Sequence, residues 1–334
     1  MPTIVKGSDH MQAVLYTGTG ATQTISGLDF QPDLVWIKSR SAATDHKLTD
    51  AVRGVTKALV SNSTAAETTD TTGITAFTST GFTLGANSTY NNSGATYVAW
   101  CWKAGGTSSS NTNGTITSTV SVNASAGFSV VTYTGISAAG TVGHGLGVAP
   151  SFIVVKDRSR AGFNWSCYHS SLGATFAILL NSTNAAASGS SDWNSTAPTS
   201  SVFSIPTGGG SYNTNYNGDN FVAYCWTPIA GYSAFGSVST NGAADNAFVY
   251  TGFLPRFVML KRTDSTSDWI IWDTARNTFN VMGNRLYPNL SNAESSVTDI
   301  DLLSNGFKLR SSGFSGTWIY AAFATAPFKN SLGF

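Results

Sequence analysis

The amino-acid sequence predicts an all-β protein made of three tandem antiparallel β-sandwich repeats, jelly-roll-like in kind, with almost no helix. Three observations lead to this fold class. An apolar stretch that begins with a proline occurs three times along the 334 residues. Each of the three repeats that contain it ends with an aromatic stretch. The chain also contains 34 glycines, many Ser, Thr and Asn residues and 12% aromatic residues, which is typical of strands joined by polar loops.

Each repeat is organised around a proline, a short apolar run and a lysine, with an arginine directly after it or one residue further on. The three copies occupy residues 30–40, 148–158 and 253–262. A proline at the start of a strand breaks no ladder hydrogen bond, and a short run rich in Val, Ile, Phe and Trp favours a strand buried on both faces. Such a strand needs two covering layers. We therefore expect each copy to form its own sandwich, with the lysine and arginine marking where the strand leaves the core.

The other strands follow in the same order in each repeat. A Tyr-Thr-Gly triplet after a short alternating strand precedes the organising stretch, and an Asn-centred segment, a strand containing Phe and an aromatic closing strand follow it. The triplets are at 16–18, 133–135 and 250–252, the asparagines are Asn62, Asn181 and Asn289, the Phe strands are 81–84, 201–205 and 306–310, and the closing strands are 97–102, 221–226 and 318–323. Residues 49–58 have the one passable helical pattern, but Gly54 weakens it and a turn is predicted there.

These repeats divide the chain into units of a size at which a sandwich buries about two-thirds of its chain surface. The predicted units are an N-terminal segment 1–10 that serves as a possible anchor, repeat 1 at 11–104, a linker at 105–114, repeat 2 at 115–230 and repeat 3 at 231–334. The linker is rich in Gly and Ser, which is typical of a flexible connection.

Charge and composition exclude several classes of partner. The 18 basic residues nearly balance the 17 acidic ones, whereas nucleic acids and anionic membranes attract clustered positive charge. The first residues contain no apolar run of signal-peptide length, and no stretch approaches the roughly 20 apolar residues of a membrane helix. We therefore expect a protein made in a cytoplasm, without nucleic acid as a partner and without membrane insertion. Cys101 and Cys225 occupy matching places in two repeats, which predicts buried free thiols.

The sequence gives little indication of catalysis. The four histidines, His10, His46, His144 and His169, do not recur between repeats and have no zinc or triad spacing, so we expect solvated loop residues and neither a metal nor a cofactor.

The recurring acids have a structural interpretation. Asp50 and Asp273 each precede an arginine by three residues, and an Asp–Arg pair that fixes a loop explains this better than a glycosidase pair of carboxylates. Glu67 and Glu294 also recur, at a later position of repeats 1 and 3. One acid per repeat at a matching position is better explained by an Asp–Arg pair that fixes a loop, or by a carboxylate that accepts turn N–H groups.

Ligand binding is the stronger functional hypothesis. The polar loop at 211–219 carries Tyr212, Asn213, Asn215 and Tyr216, and Tyr90 occupies the same place in repeat 1. Tyr and Asn on a rigid sandwich combine a flat apolar face with hydrogen-bonding groups, which suits sugars. Trp165 and Trp193 of repeat 2 are interpreted in the same way. The structural alternative, which the sequence favours over ligand binding, is that these aromatic residues cover the end of the sandwich or pack against a neighbouring subunit.

The repeated text resembles a domain that recurs in virion proteins of tailed bacteriophages. The resemblance rests on the organising stretch, the Asp-x-x-Arg turn, the Asn segment followed by Ala-Glu, the Gly-Phe strand and the closing stretch 97–103. Residues 318–329 are similar to the usual ending of phage tail-fibre-like proteins, especially those of marine phages. The resemblance covers nearly the whole chain and implies a virion structural protein without catalytic residues.

The resemblance implies a particular place and role. We expect a non-enzymatic tail fibre or tail-tip adhesin on the outer surface of a virion, on the tail rather than the head. Its partners would be other virion proteins and a host-surface glycan or protein receptor, and it would form a homo-oligomer, for which a trimer is the expectation. The alternatives are a capsid decoration or head-fibre protein and a polysaccharide-degrading hydrolase. Repeat 2 departs most from the shared pattern, which makes it the expected ligand or partner surface.

Overall fold

A computed structural model of the chain describes residues 4–189, 192–208 and 213–324. It confirms the all-β fold class, since strands in antiparallel sheets make up nearly all of the regular structure in these residues. A 3₁₀ turn at Gly7–Asp9 and the single-turn helix α1 are the described exceptions. A turn rather than a helix was predicted at residues 49–58, and residues 51–56 contain no helix.

Repeat 1 forms two main sheets that face each other. Its elements are β1 (Met11–Thr17), β2 (Gln23–Ser26), β3 (Leu34–Ser39), β4 (Lys47–Asp50), β5 (Lys57–Ala58), β6 (Thr68–Thr69), β7 (Ile74–Thr78), β8 (Gly81–Leu84), α1 (Ser88–Asn91) and β9 (Thr96–Trp102). The first sheet has the order β1-β9-β3-β4 and the second has the order β2-β8-β7.

Repeat 2 has the same first sheet with additional strands. Its elements are β10 (Ser109–Asn111), β11 (Ser118–Asn123), β12 (Phe128–Thr134), β13 (Gly140–Gly143), β14 (Phe152–Asp157), β15 (Ser166–His169), β16 (Phe176–Leu179), β17 (Ala187–Ser188), β18 (Val202–Ile205) and β19 (Asn220–Trp226). The order is β10-β11-β12-β19-β14-β15-β16-β17 in one sheet and β13-β18 in the other. Strand β10 lies inside the stretch predicted as a flexible linker and pairs with β11.

Repeat 3 repeats the arrangement. Its strands are β20 (Ser233–Asn241), β21 (Phe248–Tyr250), β22 (Pro255–Arg262), β23 (Trp269–Asp273), β24 (Met282–Arg285), β25 (Ser295–Leu303), β26 (Gly306–Leu309) and β27 (Ser315–Ala324). The two sheets have the orders β20-β27-β22-β23 and β21-β26-β25-β24.

The organising stretch occupies the same place in all three repeats, as predicted. Strands β3, β14 and β22 each lie between the closing strand and the strand that follows in sequence. Trp36, Val154 and Met259 are equivalent by register, and their exposed fractions are 5%, 4% and 4%. The three copies therefore share one topological position and one depth.

The third Tyr-Thr-Gly triplet is a correction to the predicted repeat. Tyr16 and Tyr133 lie on β1 and β12, which pair with the closing strands, and their rings stack on Tyr97 and Phe221. Tyr250 lies on β21 in the other sheet and is 68% exposed. A three-letter pattern is too short to fix a register that depends on strand pairing, and this part of the prediction was wrong.

Two kinds of hydrophobic core hold the fold together. Each repeat has a core between its own two sheets, with Phe82, Phe203 and Phe307 in matching places. A further core contains Trp36, Val154 and Met259 together, and it is formed by the opposite faces of the three first sheets. The second cover of each organising strand is therefore supplied by the neighbouring repeats. The sequence analysis had expected both covers to come from the strand's own sandwich.

The lysine of the organising stretch does not leave the core as expected. The ammonium groups of the three equivalent lysines donate to backbone carbonyls, at 2.8 Å in each case: Lys38 to Ser39, Lys156 to Phe163 and Lys261 to Thr183. All three side chains are buried, and burial lowers the pKa of each ammonium group to about 8. The carbonyls take the place of water around the buried charge.

These lysines predict that stability rises between about pH 8 and pH 9. The unfolded chain holds each proton up to its ordinary pKa of 10.5, whereas the folded protein releases it near 8. The unfolded state thus binds more protons in this interval, which increases the free energy of unfolding by at most about 1.4 kcal/mol per pH unit for each lysine. Urea unfolding across the interval measures the slope.

The Lys261→Met variant should remove about one third of the lysine contribution to that slope, because one of the three releasing groups is lost. An unchanged slope in this variant would contradict the assignment to the lysines. Measurements should stop near pH 9, since burial raises the pKa of the Cys101 thiol and the Tyr133 hydroxyl. Those groups lower stability at higher pH.

Candidate functional site

The three repeats contact one another in a closed ring. At each contact, a backbone N–H after the Asn-centred segment of one repeat donates to a carbonyl after the organising strand of another: Glu67 to Arg158 at 2.9 Å, Glu294 to Arg40 at 2.8 Å and Ala186 to Thr263 at 2.9 Å. Repeat 1 therefore meets repeat 2, repeat 3 meets repeat 1, and repeat 2 meets repeat 3. We call these contacts the 1–2, 1–3 and 2–3 junctions.

The 1–2 junction contains a network of charged side chains. Asp50 accepts the backbone N–H of Arg53 and pairs with its guanidinium group, and both side chains are fully buried. Arg53 also donates to Glu67 at 2.8 Å. Both carboxylate oxygens of Glu67 accept hydrogen bonds of 2.9 Å from Arg158 of repeat 2. Tyr224 of repeat 2 completes the network by donating to Asp50 at 2.8 Å.

The charge on Glu67 follows from these contacts. Burial alone would raise the pKa of its carboxyl group, but the hydrogen bonds from Arg158 and the charge of Arg53 lower the pKa overall. Glu67 is therefore ionised at neutral pH and joins two guanidinium groups that belong to different repeats.

The 1–3 junction contains the same network. Asp273 and Arg276 are paired at 2.6 Å with both side chains fully buried, and Arg276 donates to Glu294 at 3.0 Å. Arg40 of repeat 1 binds Glu294 at 2.9 Å. Trp100 of repeat 1 donates to Asp273 at 2.9 Å, in the position that Tyr224 occupies at the 1–2 junction.

At the 2–3 junction, uncharged residues occupy the four positions that form the charged network at the other two junctions. The register places His169, Leu172, Ala186 and Thr263 at the positions of the Asp, the first Arg, the Glu and the second Arg. His169 Nε2 donates to the Tyr320 carbonyl at 3.2 Å. Burial lowers the pKa of His169 to about 4, so the ring is neutral. All four equivalent positions are thus uncharged at this junction, so that none of them places an unpaired charge in the interior.

These contacts decide the role of the recurring acids. The predicted Asp–Arg pairs that fix a turn are confirmed by the bonds of Asp50 to Arg53 and of Asp273 to Arg276. The sequence analysis did not predict that Glu67 and Glu294 join different repeats, because their partners Arg158 and Arg40 are far away in sequence.

The histidine prediction was wrong and the cysteine prediction is confirmed. His46, His144 and His169 are buried, and burial lowers the pKa of each ring. Histidines in loops or at strand ends were predicted to be solvated, whereas these three are packed inside the protein, in or beside a strand. Cys101 and Cys225 are buried and free, as is Cys167.

The residues predicted to bind a ligand are mostly inside the protein. Tyr90, Trp165 and Asn215 have no exposed surface, Trp193 is 1% exposed and Asn213 is 8% exposed. Trp165 donates from Nε1 to the Val60 carbonyl at 2.8 Å, across the 1–2 junction. Tyr212 lies outside the described residues. The covering role, the favoured alternative for these aromatic residues, agrees with this burial.

Asn215 connects loop segments of repeat 2 by side-chain hydrogen bonds, as Asn91 does in repeat 1. The Asn215 amide nitrogen donates to the Ala138 and Pro206 carbonyls, and its oxygen accepts the N–H of Ile136. Asn91 makes the corresponding bonds to its own loops. A side chain that binds three loop segments has no free group for a ligand, and this part of the binding prediction is corrected.

Tyr216 is the predicted binding residue that keeps an exposed surface. Its ring lies against the guanidinium group of Arg160, with 3.9 Å between Cζ and the ring centre. Arg160 is also paired with Asp219 at 2.6 Å and is 45% exposed at its side chain. These three residues form the outer end of repeat 2, and we call them the Arg160 surface.

A second carboxyl group lies beneath the Arg160 surface. Asp157 is fully buried, and one of its oxygens accepts the N–H groups of Ser159 and Arg160. Burial and the neighbouring Asp219 raise the pKa of Asp157 to about 6. Repeats 1 and 3 have Ser39 and Arg262 at this position, so the carboxyl pair belongs to repeat 2 alone. Sequence analysis missed it because the two acids are distant in the chain.

The centre of the ring offers no room for a ligand. A cavity of about 20 Å³ lies among Leu34, Phe152 and Phe257, and its lining atoms are apolar. A cavity of this size holds about one water, and an apolar lining gives that water no partners. Within the described ranges, no group of His, Cys, Asp and Glu could hold a metal ion, and no helix has the length and apolar character to cross a membrane.

The comparison with known families gives one assignment. Residues 6–327 match the model of the family described as Domain of unknown function (DUF7483), and the chain belongs to that family. One family model thus spans all three repeats, which agrees with a core that all three build together. No curated protein and no solved structure matches the chain.

Proposed function

We propose that this protein is a non-enzymatic structural component of a bacteriophage virion, a tail fibre or tail-tip adhesin that contacts the host surface. The resemblance of the repeated text to phage virion domains motivates the proposal. The observation that carries it is the Arg160 surface, where an aromatic ring, a guanidinium group and a carboxylate lie together at the outer end of the most divergent repeat.

The chemistry of this surface suits a glycan or a polar protein patch. The exposed part of the Tyr216 ring offers an apolar contact to a sugar ring or an aliphatic side chain, and Arg160, which is 45% exposed, supplies a hydrogen-bond donor beside it. The buried charges at the 1–2 and 1–3 junctions are satisfied internally. Recognition would therefore fall to loops on a rigid body, a common division of tasks.

The Tyr216→Ala variant is expected to lower binding to host cells at least tenfold, since the flat apolar face is lost. Its free energy of unfolding should fall by about 1–2 kcal/mol, because the partly exposed ring packs against the core of repeat 2 and against Arg160. Binding of the labelled protein to cells, and its competition with phage adsorption, measure the effect. Asn92→Ala is the matched control, because Asn92 is the exposed residue at the same place in repeat 1.

Equal binding by wild type, Tyr216→Ala and Asn92→Ala would exclude the Arg160 surface as the receptor site. An absence of binding in all three proteins would count against the adhesin. Labelled antibody on whole virions would then test the alternative, a capsid decoration or head-fibre protein. That experiment separates head from tail.

A polysaccharide-degrading hydrolase is the second candidate, and the Asp157–Asp219 pair is the observation for it. Two neighbouring carboxyl groups with one pKa raised are typical of acid–base catalysis, although Asp157 contacts Asp219 directly and the carboxyl groups of a glycosidase lie about 5–9 Å apart. Against this, Asp157 is fully covered and bound to a turn. Release of oligosaccharide from host envelope glycans, abolished in Asp157→Asn, would replace the adhesin by the hydrolase.

A further inference from the structure

The outer edge of β12 in repeat 2 is covered by the chain's own β11. In this antiparallel ladder alternate residues of β12 bond to β19, and the others point their N–H and C=O groups to the opposite side. Val130 and Thr132 are among the latter, and they face Ser121 and Thr119 of β11. The segment that provides β10 and β11 contains no charged residue. Repeat 2 therefore shows that an uncharged strand can pair with this edge.

The same edge is open in repeat 3, where β20 stands in the place of β12. Bonds of Ala324 to Tyr232 and of Gly242 to Phe314 show that even-numbered residues pair with β27. The backbone groups of Phe235, Ser237 and Ser239 therefore point outward, and none has a hydrogen-bond partner in the described part of the chain. Ser237 and Ser239 are exposed.

Strand β20 also lacks the usual protections of a free edge. Such edges are blunted by lysine, proline, bulges or inward charges. The nine residues of β20 include no charged residue and no proline, and its pairing with β27 is regular throughout. An uncharged, regular edge of this length is a site for strand addition.

The second sheet of repeat 3 is open on the same side. In repeat 2, residues ahead of β11 also cover β13, through the Ile116–Val142 bridge and the bond of Thr141 to Thr115. By register, Phe248 and Tyr250 occupy the covered positions of Thr141 and Gly143. They are 45% and 68% exposed. Both sheets of repeat 3 thus end at an uncovered side that carries two aromatic rings.

We propose that β20 pairs with β20 of a second copy of this chain. Ile229 occupies the edge opposite Ser233, so a partner strand has room from Phe235 onward. Antiparallel pairing of residues 236–240 with themselves leaves the N–H of Asn241 bonded to Asn246. It puts a two-fold axis at Val238 and Ser237 opposite Ser239 of the partner copy. Both residues point their N–H and C=O groups outward, so each pair exchanges two backbone hydrogen bonds. The two four-stranded sheets then form one continuous sheet.

The sequence of β20 favours a second copy as the occupant. The outward groups alternate with the same parity on both strands, which makes the edge complementary to itself. The side chains near the axis are Ser237, Val238 and Ser239, so no like charges meet and no bulky group obstructs the approach. Phe248 and Tyr250 of both copies lie on the same open side.

The corresponding edge in repeat 1 is protected. The Thr17 carbonyl of β1 accepts a hydrogen bond from the Gln23 side chain at 3.1 Å. The side-chain oxygen of Gln12 accepts a hydrogen bond from the N–H of Asp29 at 2.9 Å, and Asp29 forms an ion pair with Lys6 at 2.8 Å. Charges and side-chain bonds of this kind disfavour strand addition, and the proposal is therefore limited to β20.

Light scattering of the full chain at micromolar concentration tests the pairing. The wild type is expected to have the mass of two chains, and Ser237→Lys the mass of one, because the new charge would be desolvated next to Ser239 of the partner. The matched control is Leu15→Lys, at the equivalent position of β1, which should remain a dimer. Far-ultraviolet circular dichroism establishes that each variant is folded.

Hydrogen exchange gives a second, residue-specific measurement. The amides of Ser237 and Ser239 should exchange slowly in the wild type and become fast in Ser237→Lys, whereas the Leu15 amide of β1 should exchange fast in the wild type. A wild type with the mass of one or three chains would overturn the proposal. So would a dimer that persists in Ser237→Lys, or fast exchange of Ser239 in a wild-type dimer.

Discussion

Replacement of Arg53 by leucine is expected to lower the free energy of unfolding by about 3–5 kcal/mol, as for other broken buried ion pairs. Arg53 is the cation between Asp50 and Glu67 and is fully buried. Its removal leaves the Asp50 carboxylate without a counter-charge in a place that water does not reach. Urea unfolding at neutral pH measures the loss.

The 2–3 junction suggests the control, since Leu172 occupies the position of Arg53 there without a charged neighbour. The double variant Arg53→Leu, Asp50→Asn removes the orphaned charge and keeps the pair of Glu67 with Arg158, and Asn keeps an oxygen for the turn N–H groups. It should recover at least half of the lost stability. If the double variant were less stable than Arg53→Leu alone, burial of unpaired charge would not be the cause.

Replacement of Trp102 by alanine is expected to lower the free energy of unfolding by about 3–5 kcal/mol and to destabilise all three repeats together. Trp102 is 3% exposed, and its ring meets Trp226 at 6.0 Å, Phe257 at 5.7 Å and Phe323 at 5.9 Å between centroids. These partners belong to repeats 2 and 3. Amide exchange in β14 and β22 should therefore accelerate as much as in β3.

The exposed Leu15 of the same repeat provides the control, and Leu15→Ala should change stability by less than about 0.5 kcal/mol. Unfolding of the Trp102→Ala variant should remain a single transition by fluorescence and by circular dichroism. Acceleration confined to the strands of repeat 1, or separate transitions for separate repeats, would show that the shared core does not couple them.

Strands could be predicted from the sequence wherever the pattern is local. A proline followed by Val, Ile, Phe or Trp located β14 around Val154, and the aromatic closing stretch located β19 around Tyr224. Their burial on both faces was also predicted correctly. The identity of the second cover could not be predicted, because an apolar face does not specify whether its partner is the same repeat or another one.

Charged residues were the main source of error. Lys156 follows an apolar run and was expected at the surface, but its ammonium group reaches the Phe163 carbonyl inside the protein. The pairing of Glu67 with Arg158 depends on a contact between repeats, and local spacing carries no information on it. Buried charge is rare enough that sequence patterns favour exposure.

The candidate site was predicted in part. Of the residues selected in repeat 2, Tyr216 is partly exposed, and its role in binding stays a prediction. Arg160 and Asp219 were missed, since neither belongs to a recognisable motif. Tyr90 and Asn215 were selected for their residue types alone, and the same types serve equally well to hold loops together inside a sandwich.

The shared core has a consequence for how this molecule can vary. In an assembly of three identical chains, every substitution appears three times around the axis, whereas here each of the three positions is encoded separately. Repeat 2 can therefore carry β10, β11 and the Arg160 surface, and the 2–3 junction can be uncharged, while the other two junctions have their ion pairs. Because the three members of the ring belong to one chain, each can present a different surface.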